Sequence, residues 1–274
     1  ETIGDVKGKS ATLHAMAYIY RQQGQVEQAM GLYQESLALN ETIGDVKGKS
    51  ATLHAMAYIY RQQGQVEQAM GLYQESLALK ETIGDVQGKS ATLANIAYLV
   101  GEQGDTEQQF QLYRQAAQGL SQIGAWPDLV TVLGNLFGCV PNQKERYLAQ
   151  AVWLGLFVQL SLNNWITYLN TLFNTVPQGD DLEPLLAATA CLYCARAGSE
   201  HPQQAQLQEL SLKMLAGAAG LRGIETEVGL QTWMQQEKLN EPDSFLPRLN
   251  EKLITLIGDS WLFDPQRVMG ERHD

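Results

Sequence analysis

Residues Glu1 to Leu39 recur without a change as Glu41 to Leu79, and the two 40-residue units differ only at their last position, Asn40 against Lys80. Residues 81–120 give the unit a third time, edited but legible. A period of this length marks stacked copies of one supersecondary unit, because a single copy cannot hide its own apolar face and its neighbour must cover it. The repeat therefore constrains the fold before composition is consulted.

Within the first unit, Val6, Ser10, Leu13, Ala17 and Tyr20 are spaced by four, three, four and three, which sets them on one helix face, and Met16 widens the stripe. Asp5 is placed to cap this helix, and Gln23-Gly24-Gln25 interrupts it. A second helix buries Val26, Ala29, Met30, Tyr33 and Leu37, with Gly44 as a left-handed stop past Ile43. Each unit is thus read as two antiparallel helices of about 17 to 19 residues.

Leu13-x2-Met16-Ala17-x2-Tyr20 followed by Ala29-x3-Tyr33 resembles the tetratricopeptide repeat (TPR), and Leu53, Met56, Ala57, Tyr60, Ala69 and Tyr73 give the pattern again. The third unit keeps Leu93, Ile96, Ala97 and Tyr113 but has Val100 and Gln109 where Tyr and Ala stood. The chain departs from the family in having Leu for the usual Trp, Ala for the usual Gly and no terminal Pro. Its 40-residue period and Ile-Gly-Asp-x-x-Gly connection resemble the longer repeats of kinesin light chains and spindle-orientation adaptors. The resemblance implies an all-α, TPR-like α-solenoid, a right-handed superhelix of antiparallel helix pairs closed by degenerate repeats and a helical C-terminal cap.

Three repeats are expected at 1–40, 41–80 and 81–120, two degenerate hairpins at 121–198, and a cap at 199–274. Adding 40 carries Leu93 onto Leu133 and Tyr113 onto Trp153, and adding two periods carries Ala69 of the second unit onto Ala149. The echo of Leu136-Phe137-Gly138-Cys139-Val140-Pro141 in Leu172-Phe173-Asn174-Thr175-Val176-Pro177 suggests a fifth hairpin with its second helix at 185–197. Further helices are expected over Pro202–Leu215, Ile224–Leu239 and Ser244–Ile257, with the Ala216 to Gly220 stretch breaking or loosening the first and a frayed tail from Asp264.

Composition narrows the function class. The net charge of −11 leaves no basic field for nucleic acid, and no apolar run reaches the length that spans a bilayer. Cys139, Cys191 and Cys194 are too few for a disulfide framework, which points to a reducing, cytoplasmic setting. Cys191-x2-Cys194 lacks the second ligand pair that zinc needs and reads as small core residues. Gly4 to Ser10 misses the phosphate-loop spacing by one residue and is a helix entry. The Asn40-Glu41-Thr42 sequon is read as chance, and the four histidines, His201 and His273 among them, form no metal pattern. We therefore expect no catalytic residues, no metal and no cofactor. Opening without Met inside a repeat connection, the chain reads as part of a longer one.

His14, Tyr18 and Arg21 lie off the apolar stripe, and His54, Tyr58 and Arg61 duplicate them, with Gln22 and Gln62 alongside. The third unit offers Tyr98 with Ala94, Gly101 and Glu102, so the basic rungs end there. First helices line the concave groove of TPR arrays, so the resemblance places these residues as ligand contacts; the bland alternative is a solvated wall copied by a recent duplication. Cation and aromatic together suit a protein or peptide ligand carrying carboxylate or aromatic side chains. His14, Tyr18, His54 and Tyr58 stand where some members clamp a terminal carboxylate with Lys and Asn, so that clamp is not expected. The primary expectation is a non-enzymatic protein- or peptide-binding scaffold. Two alternatives are the sensor or regulatory arm of a larger signalling protein, and a small-molecule site among Trp126, Trp153, Trp165, Trp233 and Trp261. The uncovered stripe of the first helix also predicts a homodimer or hairpin exchange through that end.

Overall fold

The computed structural model describes residues 2–139, 144–197 and 202–270; Val140, Pro141, Ser199, His201 and His273 lie outside them. The described residues are all-α, without a strand, in a TPR-like solenoid fold class. The chain divides into two units, Glu1–Ala125 and Trp126–Asp274.

The first unit contains α1 (Ile3–Gln22), α2 (Val26–Ile43), α3 (Val46–Gln62), α4 (Val66–Thr82), α5 (Val86–Glu102) and α6 (Thr106–Ile123). Each odd helix packs on the even helix after it, and α2 packs on α3 as α4 does on α5, so the three hairpins stack in chain order. The turns are those the sequence requires: Gly24 and Gly44 stand at φ +75° and +68°, where a Cβ would be strained. Ala17, Ala29, Ala57 and Ala69 are fully buried, so the helices of a hairpin approach closely.

The helix entries correct one expectation. Asp45 and Asp85 cap α3 and α5, but Asp5 sits inside α1 as the partner of Thr2 in a reciprocal capping box. The same Thr-Ile-Gly-Asp sequence plays two parts because Thr42 is still inside α2, leaving the cap to Asp45.

The second unit contains α7 (Trp126–Cys139), α8 (Lys144–Gly155), α9 (Leu162–Phe173), α10 (Leu182–Ala197), α11 (Gln204–Gly220), α12 (Glu227–Gln236), α13 (Pro242–Ile257) and α14 (Pro265–Gly270). Helices α7 to α11 pack in succession, and α13 then folds back onto α8 and α10. Trp153, carried from the repeat pattern, is fully buried there among Phe157, Trp261 and Phe263, and its Nε1 donates to Asn250 at 2.7 Å.

Two expectations for this unit fail. The Ala216 to Gly220 stretch continues α11 instead of breaking it, because buried Ala218 and Ala219 and the bare Gly217 beside Phe173 suit a tight helix contact. The tail is not frayed throughout: α14 forms at Pro265 and buries Val268.

Candidate functional site

The tyrosines and arginines singled out by the repeat pattern form one stack along α1, α3 and α5. The Arg21 guanidinium lies 4.8 Å from the Tyr18 ring and 4.6 Å from Tyr58, and that of Arg61 lies 4.7 Å from Tyr58 and 4.8 Å from Tyr98. Two cations thus alternate with three aromatic faces. Arg at one repeat falls between its own tyrosine and the tyrosine of the next repeat because both sit three residues apart on parallel, adjacent helices. Tyr18 and Tyr98 are exposed at 49% and 44%, Tyr58 and both arginines are half-buried, and Gln22 and Gln62 are exposed beside them.

Neither arginine has a carboxylate within ion-pair distance among the described residues, and buried Arg61 Nε lacks a hydrogen-bond acceptor. Beneath the stack, the fully buried Tyr33 and Tyr73 hydroxyls also lack partners. Burial raises both phenols, Tyr73 beyond the usual tyrosine range, so they stay protonated and remain donors. A 340 Å³ pocket adjoins the stack, lined by Arg21, Gln22, Val26, Tyr58, Ile59, Gln62 and Gln63.

The stack ends at Tyr98 because the third repeat exchanges two residues at once. Gly101 replaces Arg and Gln109 replaces Ala, and a Cβ on Gly101 would meet the Gln109 side chain. The glutamine occupies the room that the arginine stem uses in the other repeats.

The histidines do not join the stack. His14 and His54 are half-buried and turn into the seams between repeats, where their Nδ1 atoms lie 3.2 Å from Thr52 Oγ1 and 3.0 Å from Thr92 Oγ1. Each ring meets the buried tyrosine of its own hairpin edge-on, His14 on Tyr33 at 5.1 Å and His54 on Tyr73 at 5.2 Å. The expected ladder of His, Tyr and Arg is therefore a ladder of Tyr and Arg with histidine packed behind it. Burial first, with Lys80, Arg61 and Arg21 adding repulsion, pushes the His54 pKa down to about 3. Burial and Arg21 lower His14 as well.

The seams hold what the motif search passed over, the last residue of each repeat. Asn40 is 2% exposed and Lys80 5% exposed, and Leu120 takes the same position, also buried. Asn40 bonds Ser10 and lies 3.5 Å from Thr52 Oγ1. Lys80 Nζ donates to Thr92 Oγ1 at 2.8 Å and to Gly88 O at 3.2 Å, and lies 3.4 Å from His54 Nδ1. Desolvation, only partly offset by the Asp85 carboxylate, brings Lys80 down to about 8. The signal was in plain view: Asn40 and Lys80 are the one difference between two otherwise identical units. Burial at Asn40 also agrees with reading its sequon as chance.

In the second unit, Trp126, Trp153, Trp165 and Trp233 are buried, and Trp261 meets Trp153 and Phe263 edge-on. Buried Glu183 pairs with Arg222 at 3.5 Å and accepts from Gly179 N, which pins the loop before α10 to the end of α11. Cys191 and Cys194 have thiol pKa values raised mainly by burial, and no His, Cys, Asp or Glu grouping suited to a metal occurs among the described residues. No described helix is long and apolar enough to cross a membrane.

Helical hairpins stacked in chain order, with a stack of cations and aromatics along their first helices, define a helical-repeat protein. Residues 8–82 match the family model of the tetratricopeptide repeat. No curated protein matches the sequence. Among solved structures, pilF of Pseudomonas aeruginosa is 17% identical, covers 85% of this chain and 99% of its own, and has a TM-score of 0.52, which shows a shared fold. The nearly identical TPR-like repeats of a Podosopora anserina protein described as a kinesin light chain are 18% identical over 78% of this chain and 97% of theirs, with a TM-score of 0.46. BtubC from P. vanneervenii is 14% identical over 80% and 81%, with a TM-score of 0.47.

Proposed function

We propose that this protein is a non-enzymatic scaffold that binds an extended protein segment bearing carboxylate and aromatic side chains along the Tyr18–Arg21–Tyr58–Arg61–Tyr98 stack. The observation that carries this reading is the stack itself: two guanidiniums held in register by ring faces, with their hydrogen-bonding edges uncommitted to any carboxylate. Stacking holds each guanidinium plane, so a carboxylate can be met by two N–H groups with little further ordering. Gln22 and Gln62 offer amides to the ligand backbone from the same edge. A cytoplasmic setting suits such a scaffold and its free thiols.

The test is capture on an array of peptides that vary Asp/Glu and Phe/Tyr/Trp content, comparing wild type with Arg21→Gln/Arg61→Gln. Acidic and aromatic peptides should be retained by wild type and lost from the variant. Equal capture by both proteins would sink the proposal.

A second reading concerns self-association. Ile3, Met16 and Ile19 are exposed at 72%, 41% and 54%, whereas Met56 and Ile59 of the identical second repeat are buried at 6% and 2% against the hairpin before them. A second copy that laid a hairpin on α1 would cover the same face. Light scattering should show association that rises with concentration and is reduced by Met16→Glu/Ile19→Lys; a monomer at all concentrations overturns this reading.

A further inference from the structure

The two seams of the repeat array are a paired experiment carried within one chain. Each is built from the same residues: Ser10, His14, Ser36 and Thr52 in the first, Ser50, His54, Ser76 and Thr92 in the second. In the second seam a primary ammonium, that of Lys80, sits among Thr92 Oγ1, Gly88 O and His54 Nδ1. The first seam presents the corresponding atoms, Thr52 Oγ1, Gly48 O and His14 Nδ1, in nearly the same arrangement. Thr52 Oγ1 donates to Gly48 O at 2.9 Å where Thr92 donates to Gly88 O at 2.8 Å, and the histidine contacts are 3.2 and 3.0 Å.

Only the cation differs. Asn40 stands where Lys80 does, but its amide Nδ2 lies 3.5 Å from Thr52 Oγ1, against 2.8 Å from the lysine ammonium to Thr92 Oγ1. Its Oδ1 accepts from Ser10 and lies so close to α3 that a Cβ at Gly48 would meet it at 2.6 Å. The serines respond to the exchange. Ser10 donates to Asn40 Oδ1, whereas Ser50 faces Lys80, which has no acceptor, and donates back to Lys47 O at 2.9 Å. The first seam encloses a pocket of 410 Å³ with a floor of Ser10, Ser36, Asn40 and Thr52, each no more than 3% exposed. Its mouth is formed by the exposed residues Lys7, Ala11, Lys47 and Ala51.

We propose that this first seam is a binding site for a primary amine on an unbranched alkyl chain, which takes the place that Lys80 occupies in the second seam. The acceptor set is preformed, and the alkyl stem would lie between Ala11 and Ala51 as a lysine stem lies on apolar surface. Asp45 supplies a carboxylate at the rim, where Lys7 pairs with it at 3.4 Å. Lys47 is the opposing charge at the mouth; its counterpart in the third repeat is Gln87, so the first seam attracts an ammonium less strongly than the second. The chemistry is shared by a free alkylamine and by a lysine side chain of another protein.

Two probes separate those sources: n-butylammonium chloride and the tripeptide N-acetyl-Gly-Lys-Gly-amide, each titrated into the full chain while the amide signals of Gly48 and Thr52 are followed by NMR. Saturable shifts of these signals with either probe support the site. Response to butylammonium assigns it to free amines as well, and response to the tripeptide alone assigns it to protein-borne lysine. Asn40→Lys makes the first repeat identical to the second and fills the seat with a tethered ammonium, so binding should weaken at least tenfold. Because the second repeat already folds with lysine there, loss of fold is not the expected result, and a thermal melt of the variant checks it. Lys80→Asn recreates the first seam in the second, so a new set of shifts should appear at Gly88 and Thr92. Absence of saturable shifts with both probes, or equal binding by wild type and Asn40→Lys, overturns the proposal.

Discussion

The first and second repeats share 39 consecutive residues and do not share an environment. Met16 and Ile19 are exposed, while Met56 and Ile59 are in the core with Ala17, Ala29 and Tyr33 of the preceding hairpin. Leu13 is half-buried and Leu53 is 2% exposed. The helices, their turns and the buried alanines are alike in both copies; the burial of the outer face differs. Local sequence sets what a repeat is, and its neighbour sets how much that repeat contributes to stability. The stability of such an array is accordingly a sum of repeat and interface terms.

The largest expected consequence is in the core. Ile59→Ala should destabilise the protein by about 2 to 4 kcal/mol, since it opens a cavity between hairpins. Ile19→Ala, the same substitution in the same local sequence, should change stability by no more than about 0.5 kcal/mol. Urea unfolding of the full chain followed by circular dichroism measures both, and equal losses would break the comparison.

The seams give the next largest effect. Lys80 has a folded-state pKa of about 8, below its ordinary 10.5, so the unfolded chain holds the proton more tightly between these values. Stability then rises with pH across that window, and the penalty for the buried ammonium is present in full below pH 8. Lys80→Met should be more stable than wild type at pH 7, by an amount on the order of 1 kcal/mol, and the advantage should shrink as pH rises from 8 towards 10.5. A constant advantage across that range would rule out the ammonium as its source.

Histidine tests the same seams from the acid side. His54 stays neutral in the folded protein down to about pH 3, whereas the unfolded side chain takes a proton near 6.5. The unfolded state therefore binds more protons between these values, and stability falls as pH drops through the window. Melting temperatures from pH 7 to pH 4 should decline less steeply for His54→Gln than for wild type. His14→Gln should flatten the curve less, because His14 is less depressed. Identical slopes for the two variants would show that the seams are electrostatically alike.

The smallest expected effect extends the stack. Gly101→Arg combined with Gln109→Ala gives the third repeat the residues of the first two and sets a guanidinium beside Tyr98. Added stability of about 0.5 to 1 kcal/mol is expected from one more cation–π contact at an exposed site. Gly101→Arg alone should gain less, since the arginine stem collides with Gln109.

Much of this was legible in residues alone. Spacing of four and three placed Ala17, Ala29, Tyr33 and their copies in the core, and the glycines at 24 and 44 gave the turns. The members of the stack were also legible, because Tyr18, Arg21, Tyr58, Arg61 and Tyr98 lie off the apolar stripe at matching register. The return of α13 onto α8 was not, because the bonds of Trp153 to Asn250 and of Gln150 to Ser260 and Leu262 join residues about a hundred positions apart, where no period links them.

The sequence by itself determined the repeating unit: its two helices, their caps and the residues each helix turns inward, since these depend on neighbours within a few positions. Tertiary structure decided which copy is buried, that arginine would lie between the tyrosines of two repeats, and that histidine would turn to the threonine of the next hairpin. It also decided the chemistry of the seams. The one difference between the first two repeats, Asn40 against Lys80, has no meaning along the chain and acquires one only where hairpins meet, because desolvation and hydrogen-bond partners there come from the next repeat.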